Sequence, residues 1–209
     1  MAWEAARSVR VTTDLEIALV SAFGLHDPGM LLVAGTGSAA VARLAGGRLD
    51  RMGGLGWRLG DEGGGYAIGC AGLRAVGRAM DGRGTPTSLS QQIPLSLGLD
   101  GEKLVRWAGS ARVREVAALA PIVVAAADHD PVACEIVSQA AEDLTAVVRA
   151  LVNRTGEDLA LALTGGLLHE ETALRRELAD RLGRNLPTLR ITGTADPVAG
   201  ALMMAHLAP

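Results

Sequence analysis

Two short apolar segments, each followed by a glycine-containing turn, constrain the fold of this chain most strongly. Residues 30–34 (MLLVA) run into Gly35-Thr36-Gly37-Ser38, and residues 159–163 run into Thr164-Gly165-Gly166. Apolar runs of this length without polar alternation are typical of strands covered on both faces, as in the sheets of α/β proteins. The pattern therefore predicts an α/β fold in which helices cover the sheet.

The remaining sequence predicts one hairpin and many helices. Two strands, residues 39–44 and 49–52, flank a Gly46-Gly47 turn. Further short strands are predicted at residues 9–11 and 189–191. Apolar spacing and end signals predict helices at residues 14–24, 66–80, 130–153, 170–182 and 196–207, and several short helices over 86–127 broken by Pro94, Gly98 and Pro121. The expected architecture is a mixed sheet flanked by helices, with a helical insertion at about 66–155.

Charge and composition exclude several classes of function. The net charge is −3 and there is no basic run, so we expect no nucleic-acid partner. The longest apolar run, residues 116–127, is too short to cross a bilayer, and the N-terminus lacks a signal-peptide core, so we expect no membrane partner. Cys70 and Cys134 show no metal-ligand spacing. We expect a cytoplasmic protein without a resident metal site.

The turn Gly35-Thr36-Gly37-Ser38 is a candidate anion site. Where a buried strand ends on glycines, backbone N–H groups can converge on an anion, and the Thr36 and Ser38 hydroxyls would add donors. A plain tight hairpin turn would give the same pattern. Thr164-Gly165-Gly166 could likewise lie against an adenine or ribose, or could be an ordinary strand-to-helix turn.

Residues 53–65 hold seven glycines in thirteen positions, around an Asp61-Glu62 pair. Ordering such a segment costs much conformational entropy. The glycines therefore indicate that the backbone here must come close to another group. The acidic pair could orient sugar hydroxyls or hold a cation, although a solvated surface loop would have the same composition. Asp14, at the start of a predicted helix, is either the helix N-cap or a general base that accepts a hydroxyl proton.

The order of these motifs resembles a known family. GTGS, then GG-x-G-x-x-x-GDEG, then LALTGGLL and DPVAGALMMA are similar to the N-acetylglucosamine kinase-like branch of the actin/hexokinase superfamily, which also holds the activator ATPases of benzoyl-CoA reductase. The resemblance covers nearly the whole chain. It implies an RNase H-like (actin-like ATPase) fold and an ATP-dependent kinase, with Mg²⁺, for N-acetylglucosamine or a related amino sugar.

The resemblance also implies roles for individual residues. Asp14 matches the catalytic base, which also binds the sugar. Gly54, Leu55 and Asp61 match positions that contact the sugar. Family members often have Trp at the position of Leu55, so the identity of the sugar stays open. The ATP-binding positions are Gly35, Thr36, Gly37 and Ser38, which match a phosphate loop, and Gly165 and Gly166, which match the adenosine motif.

One family motif is missing from this sequence. Such kinases begin with an Asp-x-Gly-x-Thr-like first phosphate loop, and this chain has none. We therefore expect residues 1–25 to be a remnant of a first ATPase domain, and residues 26–209 to be the second domain. Two hypotheses follow: a sugar kinase whose sequence is incomplete as given, or a non-catalytic nucleotide- or sugar-binding or ATPase-type module. The cysteines do not match the iron–sulfur arrangement of the activator ATPases.

The missing first domain also leads to an expectation about assembly. The helix at residues 14–24 would normally pack against that domain, so its apolar stripe is expected to be exposed. Exposed apolar stripes favour association, and we therefore expect a homo-oligomer. We also expect the two glycine bends, at 35–38 and 165–166, to face a common nucleotide.

Overall fold

The computed structural model describes residues 11–206. Of the predicted strand at residues 9–11, only Val11 is described, and it is exposed and outside any strand. The end of the last predicted helix, at residue 207, also lies outside the described residues.

A five-stranded mixed sheet forms the centre of the molecule. Its order is β3-β2-β1-β4-β5; β2 is antiparallel to β1 and β3, and β4 is parallel to β1 and β5. The predicted hairpin and mixed sheet are thereby confirmed. The strands are β1 Gly29–Ala34, β2 Ser38–Arg43, β3 Leu49–Gly53, β4 Leu161–Thr164 and β5 Ile191–Thr194.

Helices cover both faces of the sheet, and six of them follow one another between β3 and β4. The helices are α1 Asp14–Phe23, α2 Gly65–Met80, α3 Leu89–Leu97, α4 Gly101–Ser110, α5 Val113–Ala117, α6 Ala120–Ala126, α7 Pro131–Thr155, α8 Ala173–Asn185 and α9 Pro197–His206. The predicted helical region is therefore observed. Among the described residues, no single helix is long and apolar enough to cross a bilayer. The segment of α5 and α6 joined to α7 would reach that length and apolarity, but the two parts are bent by 113° from one another.

Strand alternation divides the core into two clusters. Side chains of successive strand residues point to opposite faces, so neighbours in β1 belong to different clusters. Leu32 packs with Leu144 of α7 and Leu178 of α8, whereas Leu31 packs with Leu19 of α1. The sheet therefore separates an α7/α8 face from an α1/α9 face.

Most of the apolar stripe of α1 is buried, which corrects the expectation that it would be exposed. Ala18, Leu19 and Val20 are at most 1% exposed. The reason is α9, which crosses α1 so closely that a Cβ on Gly200 would lie 3.0 Å from the carbonyl carbon of Ile17. Because α9 is about 180 residues away in sequence, the stripe gave no indication of its cover.

Some predicted elements differ from those observed. Pro94 lies inside α3 and does not break it, since the helix is only nine residues long and loses one backbone hydrogen bond there. Helix α8 begins at Ala173 and not at residue 170, because the Thr172 hydroxyl caps it by accepting from the Arg175 N–H at 3.2 Å. Strand β5 begins at Ile191, two residues later than expected.

Asp130 joins the start of α7 to the segment before α3. One carboxylate oxygen accepts from the N–H groups of Val132 and Ala133, and the other accepts from Ser88 and from the Thr87 hydroxyl, all at 2.6–3.1 Å. Burial alone would raise the pKa of Asp130, but the hydrogen bonds from Ser88 and Thr87 outweigh it and hold the pKa well below its usual range.

We expect Asp130→Asn to lower the free energy of unfolding by about 2–4 kcal/mol at pH 7, because buried charge-assisted hydrogen bonds are lost. Because the pKa of Asp130 is lower in the folded than in the unfolded protein, its carboxylate stabilises the fold fully above the unfolded pKa of about 3.9. This stabilisation is lost as the pH falls below that value. The difference between wild type and variant should therefore shrink below about pH 4. Urea unfolding at several pH values measures it.

Asp100→Asn is the matched control, because Asp100 also caps a helix but is exposed. It should cost less than Asp130→Asn. Equal losses in the two variants would contradict a special role for the buried carboxylate.

Candidate functional site

Most of the sequence-predicted site residues line one cavity of about 440 Å³ at the end of β1, here called the Asp14 cavity. The exceptions are Leu55, Gly165 and Gly166. The lining residues are Asp14, Leu15, Val33, Gly35, Thr36, Gly37, Ser38, Ala39, Arg51, Gly54, Gly56 and Asp61. The cavity lies on the α1/α9 face, since Leu15 and Val33 also pack against the cluster beneath α1.

The bend at residues 35–37 is fixed by the N-terminus of α2. The carbonyl of Gly35 accepts from the Gly65 N–H at 2.8 Å, and that of Thr36 accepts from the Tyr66 N–H at 2.9 Å. The N–H of Gly35 donates to the Gly37 carbonyl at 2.9 Å. Thr36 and Gly37 lie between β1 and β2, and within residues 11–206 their N–H groups donate to no backbone carbonyl. These two N–H groups are suited to an anion.

Ser38 does not offer a free hydroxyl, which corrects the expectation that it would add a donor. Its side chain is buried and donates to the Glu62 carbonyl at 2.6 Å, and its own carbonyl accepts from the Gly54 N–H at 2.9 Å. Ser38 therefore ties the bend to the glycine-rich segment. Thr36, which is exposed, remains the hydroxyl of the bend that can reach a ligand.

The glycine-rich segment is anchored at its C-terminal end, so residues 61–65 are not a solvated loop. A Cβ on Gly64 would lie 2.6 Å from the carbonyl carbon of Gly37, a contact that any other residue would break. Within the described residues, Asp61 is the one non-glycine residue with positive φ, at 61°. This conformation places its carboxylate against Gly37.

Asp14 is not the cap of α1, because Thr13 takes that position. The Thr13 hydroxyl accepts from the Glu16 N–H at 3.2 Å. Asp14 is exposed in the first turn, and its Oδ1 accepts from the adjacent Leu15 N–H at 2.9 Å. Its carboxylate is therefore available to a ligand in the cavity that it lines.

The bend after β4 lies beside the bend after β1. Gly165 has a φ of 105°, a Cβ there would lie 2.6 Å from the carbonyl carbon of Ala34, and Leu167 N–H donates to the Ala34 carbonyl at 3.3 Å. Gly166, however, lines a second cavity, on the α7/α8 face. The two bends therefore line different cavities, and a common nucleotide for both stays a prediction.

This second cavity, here called the α6 cavity, has a volume of about 310 Å³ and lies between α6 and the segment after β4. Sequence reasoning identified only Gly166 among its lining residues, because the wall from α6 carries no motif. The lining residues are Pro121, Val124, Ala125, Asp128, Gly166, Leu167, His169, Glu171, Thr172 and Ala173.

Leu55 is 67% exposed and is not among the lining residues of the Asp14 cavity. Nearby, the Trp57 ring packs edge-on against Tyr66 at 5.1 Å, and the Arg58 guanidinium lies 4.5 Å from the Trp57 ring centre. Arg51 lines the cavity although sequence reasoning missed it. Its place on a predicted strand just before Gly53-Gly54 was the available signal. Among the described residues, no group of three or more metal-ligating side chains is present.

Comparisons with known proteins agree with the motif pattern. The model of the BadF/BadG/BcrA/BcrD ATPase family matches residues 1–205. The N-acetylmuramic acid/N-acetylglucosamine kinase of Clostridium acetobutylicum is 32% identical over 204 residues, and the N-acetyl-D-glucosamine kinase of Dictyostelium discoideum is 32% identical over 187 residues. The matches cover 94% and 85% of this chain but only 66% and 59% of those proteins. The chain therefore spans less than two thirds of each.

Solved structures show the same relationship. A proposed N-acetylglucosamine kinase of Chromobacterium violaceum superimposes with a TM-score of 0.78 at 32% identity, over 93% of this chain and 65% of that one. A ROK family glucokinase of Streptomyces griseus, in complex with glucose and AMPPNP, superimposes with a TM-score of 0.60 at 18% identity, over 99% and 70%. The second likeness shows the shared fold alone.

We expect Gly165→Ala to separate the two bends. A side chain at φ 105° against Ala34 is strained and clashes with backbone, so the free energy of unfolding should fall by about 2–4 kcal/mol. Gly166→Ala is the matched control, because a Cβ there meets nothing within 4 Å. Thermal and urea unfolding of both variants measure the difference, and equal stability would contradict the close approach.

Proposed function

Because the chain belongs to the BadF/BadG/BcrA/BcrD ATPase family, we propose that it carries out, or forms part of a protein that carries out, ATP-dependent phosphorylation of an amino sugar, with N-acetylglucosamine as the first candidate. The family membership confirms the resemblance inferred from the motifs. The observation that carries the proposal is that the exposed carboxylate of Asp14 and the glycine bend at residues 35–37 line one cavity.

Asp14 is proposed as the general base. In the transfer, a sugar hydroxyl oxygen forms a bond to the terminal phosphorus of ATP, and the bond from that phosphorus to the bridging oxygen breaks, releasing ADP. The hydroxyl proton passes to the Asp14 carboxylate. Phosphoryl transfer needs little further covalent help, so positioning and charge neutralisation supply most of the catalysis.

The two cavities divide the substrates between them in this proposal. The free N–H groups of Thr36 and Gly37 hold the phosphates, and Gly54 and Asp61 contact the sugar. The adenosine lies in the α6 cavity, between the bare backbone of Gly166 and the apolar wall from α6. The two cavities lie close together, which supports this division. The Ala34 carbonyl, one residue before Gly35 of the Asp14 cavity, accepts a hydrogen bond from the N–H of Leu167, which lines the α6 cavity.

Mg²⁺ is proposed to arrive with ATP, not from a resident site. The cavity offers two carboxylates, Asp14 and Asp61, and no third metal-ligating side chain is grouped with them in the described part of the chain. Mg²⁺ usually keeps several waters and binds through one or two carboxylates plus phosphates, which this donor set fits. When bound, it neutralises phosphate charge.

We also propose a cytoplasmic location and a homo-oligomer. Two cysteines outside any disulfide, Cys70 and Cys134, suit a reducing compartment.

The surface that supports association is the outer side of α9, because the α1 stripe is mostly buried. On α9, Val198 and Leu202 are 69% and 65% exposed. Leu202→Glu should then lower the mass measured by sedimentation, and a concentration-independent monomer in the wild type would contradict the proposal.

We expect Asp14→Asn to reduce sugar-dependent ADP release about 10²–10⁴-fold, because the proton acceptor is lost. Binding of ATP, measured by calorimetry, should persist. Asp27→Asn is the matched control, since Asp27 is exposed beyond the other end of α1.

Coupled-enzyme assays with and without N-acetylglucosamine measure the release. ATP binding without sugar-dependent ADP release in the wild type would favour the alternative, a non-catalytic nucleotide- or sugar-binding module. Sugar-independent ADP release would indicate an ATPase-type module.

A further inference from the structure

Arg51 has no assigned role, and it lines the Asp14 cavity from the sheet. It lies in β3 directly opposite Val41 of β2. Residues opposite one another in an antiparallel pair point to the same face, and Val41 packs in the cluster beneath α1. The Arg51 side chain therefore leaves the sheet on the same face as Asp14.

The guanidinium of Arg51 is held at one end and open at the other. Its Nη2 donates to the Gly54 carbonyl at 2.6 Å, and a Cβ on Gly54 would lie 2.9 Å from its Cζ. Within residues 11–206 it forms no ion pair. A guanidinium carries five N–H donors, so most of the fork stays available to a ligand.

The charges of the cavity favour a cation at this position. Asp14 and Asp61 both line it, and Arg51 is the one positively charged side chain among the described lining residues. A phosphoryl group placed between the Asp14 carboxylate and the bend at residues 35–37 would meet two negative charges. The planar fork of arginine matches phosphate oxygens in shape and charge.

We propose that Arg51 binds the phosphoryl group that is transferred, donating hydrogen bonds to its non-bridging oxygens before and during transfer. Arg51 keeps its protons throughout; the hydroxyl proton goes to Asp14 and the bridging oxygen leaves with ADP. This inference rests on the proposed function and adds a substrate-contacting residue to it. A carboxylate on an acidic sugar would offer the same oxygen pair, and the experiment separates the two sources.

The experiment compares Arg51→Gln and Arg51→Lys with Arg48→Gln. Arg48 is a matched control because it belongs to the same hairpin, pairs with Asp50 at 2.9 Å and does not line the cavity. Calorimetry is run on the full chain with ATP, ADP, adenosine, N-acetylglucosamine and N-acetylmuramic acid.

Arg51→Gln should weaken ATP binding about 10- to 100-fold, close to the affinity for ADP, because a charge-assisted contact to the terminal phosphate is lost. Affinities for adenosine and N-acetylglucosamine should not change. Arg51→Lys should recover part of the loss, and Arg48→Gln should match wild type.

Three results would overturn the inference. Equal losses for every ligand would show that Arg51 only supports Gly54. A loss confined to N-acetylmuramic acid would assign Arg51 to a sugar carboxylate. Unchanged ATP affinity would exclude any phosphate contact. If the wild type itself bound no ATP, the proposed function would fail, and this inference with it, which is distinct from failure in the variant alone.

Discussion

The close contact between the bend after β1 and the start of α2 is the constraint on which the rest of the structure depends. Gly64 approaches Gly37 to a distance that only glycine permits, and two backbone hydrogen bonds connect residues 35 and 36 to residues 65 and 66. The Ser38 hydroxyl adds a third connection, to Glu62. Because α2 begins here, one contact shapes the bend, orients Asp61 and attaches the helical region to the sheet.

The sheet gives the site two sides with different chemistry. On the α1/α9 face, the Asp14 cavity holds charges and free N–H groups, which suit phosphate and a hydroxylated acceptor. On the α7/α8 face, the α6 cavity has an apolar wall of Val124, Ala125 and Leu167, which suits a flat ring. Polar side chains, among them Asp128, His169 and Glu171, also line this cavity. The ends of parallel strands β1 and β4 meet between the two cavities, as expected where ligands bind at the carboxyl ends of strands.

Local sequence predicted those parts of the fold that depend on neighbouring residues. The apolar strands and the Gly46-Gly47 turn follow from short patterns, and each is observed. Contacts between distant segments did not follow. Three contacts show this: α9 packs on α1, α6 faces the segment after β4, and the Ser38 hydroxyl donates to the Glu62 carbonyl. Each joins segments at least 24 residues apart. Periodicity reports which face is apolar, but not what packs on it.

The exposure of the Asp14 cavity to water affects phosphate binding and phosphoryl transfer differently. Asp14, Thr36 and Arg51 are exposed, so water reaches both the proposed base and the groups proposed to bind phosphate. Binding of phosphate by preorganised N–H groups tolerates this, since those donors are fixed by the contact with α2. Transfer to a sugar tolerates it less, because water competes as acceptor and screens the charges that stabilise the transition state. Nucleotide affinity should therefore depend mainly on the bends and on Arg51, and the rate of transfer on how far water is excluded from the cavity.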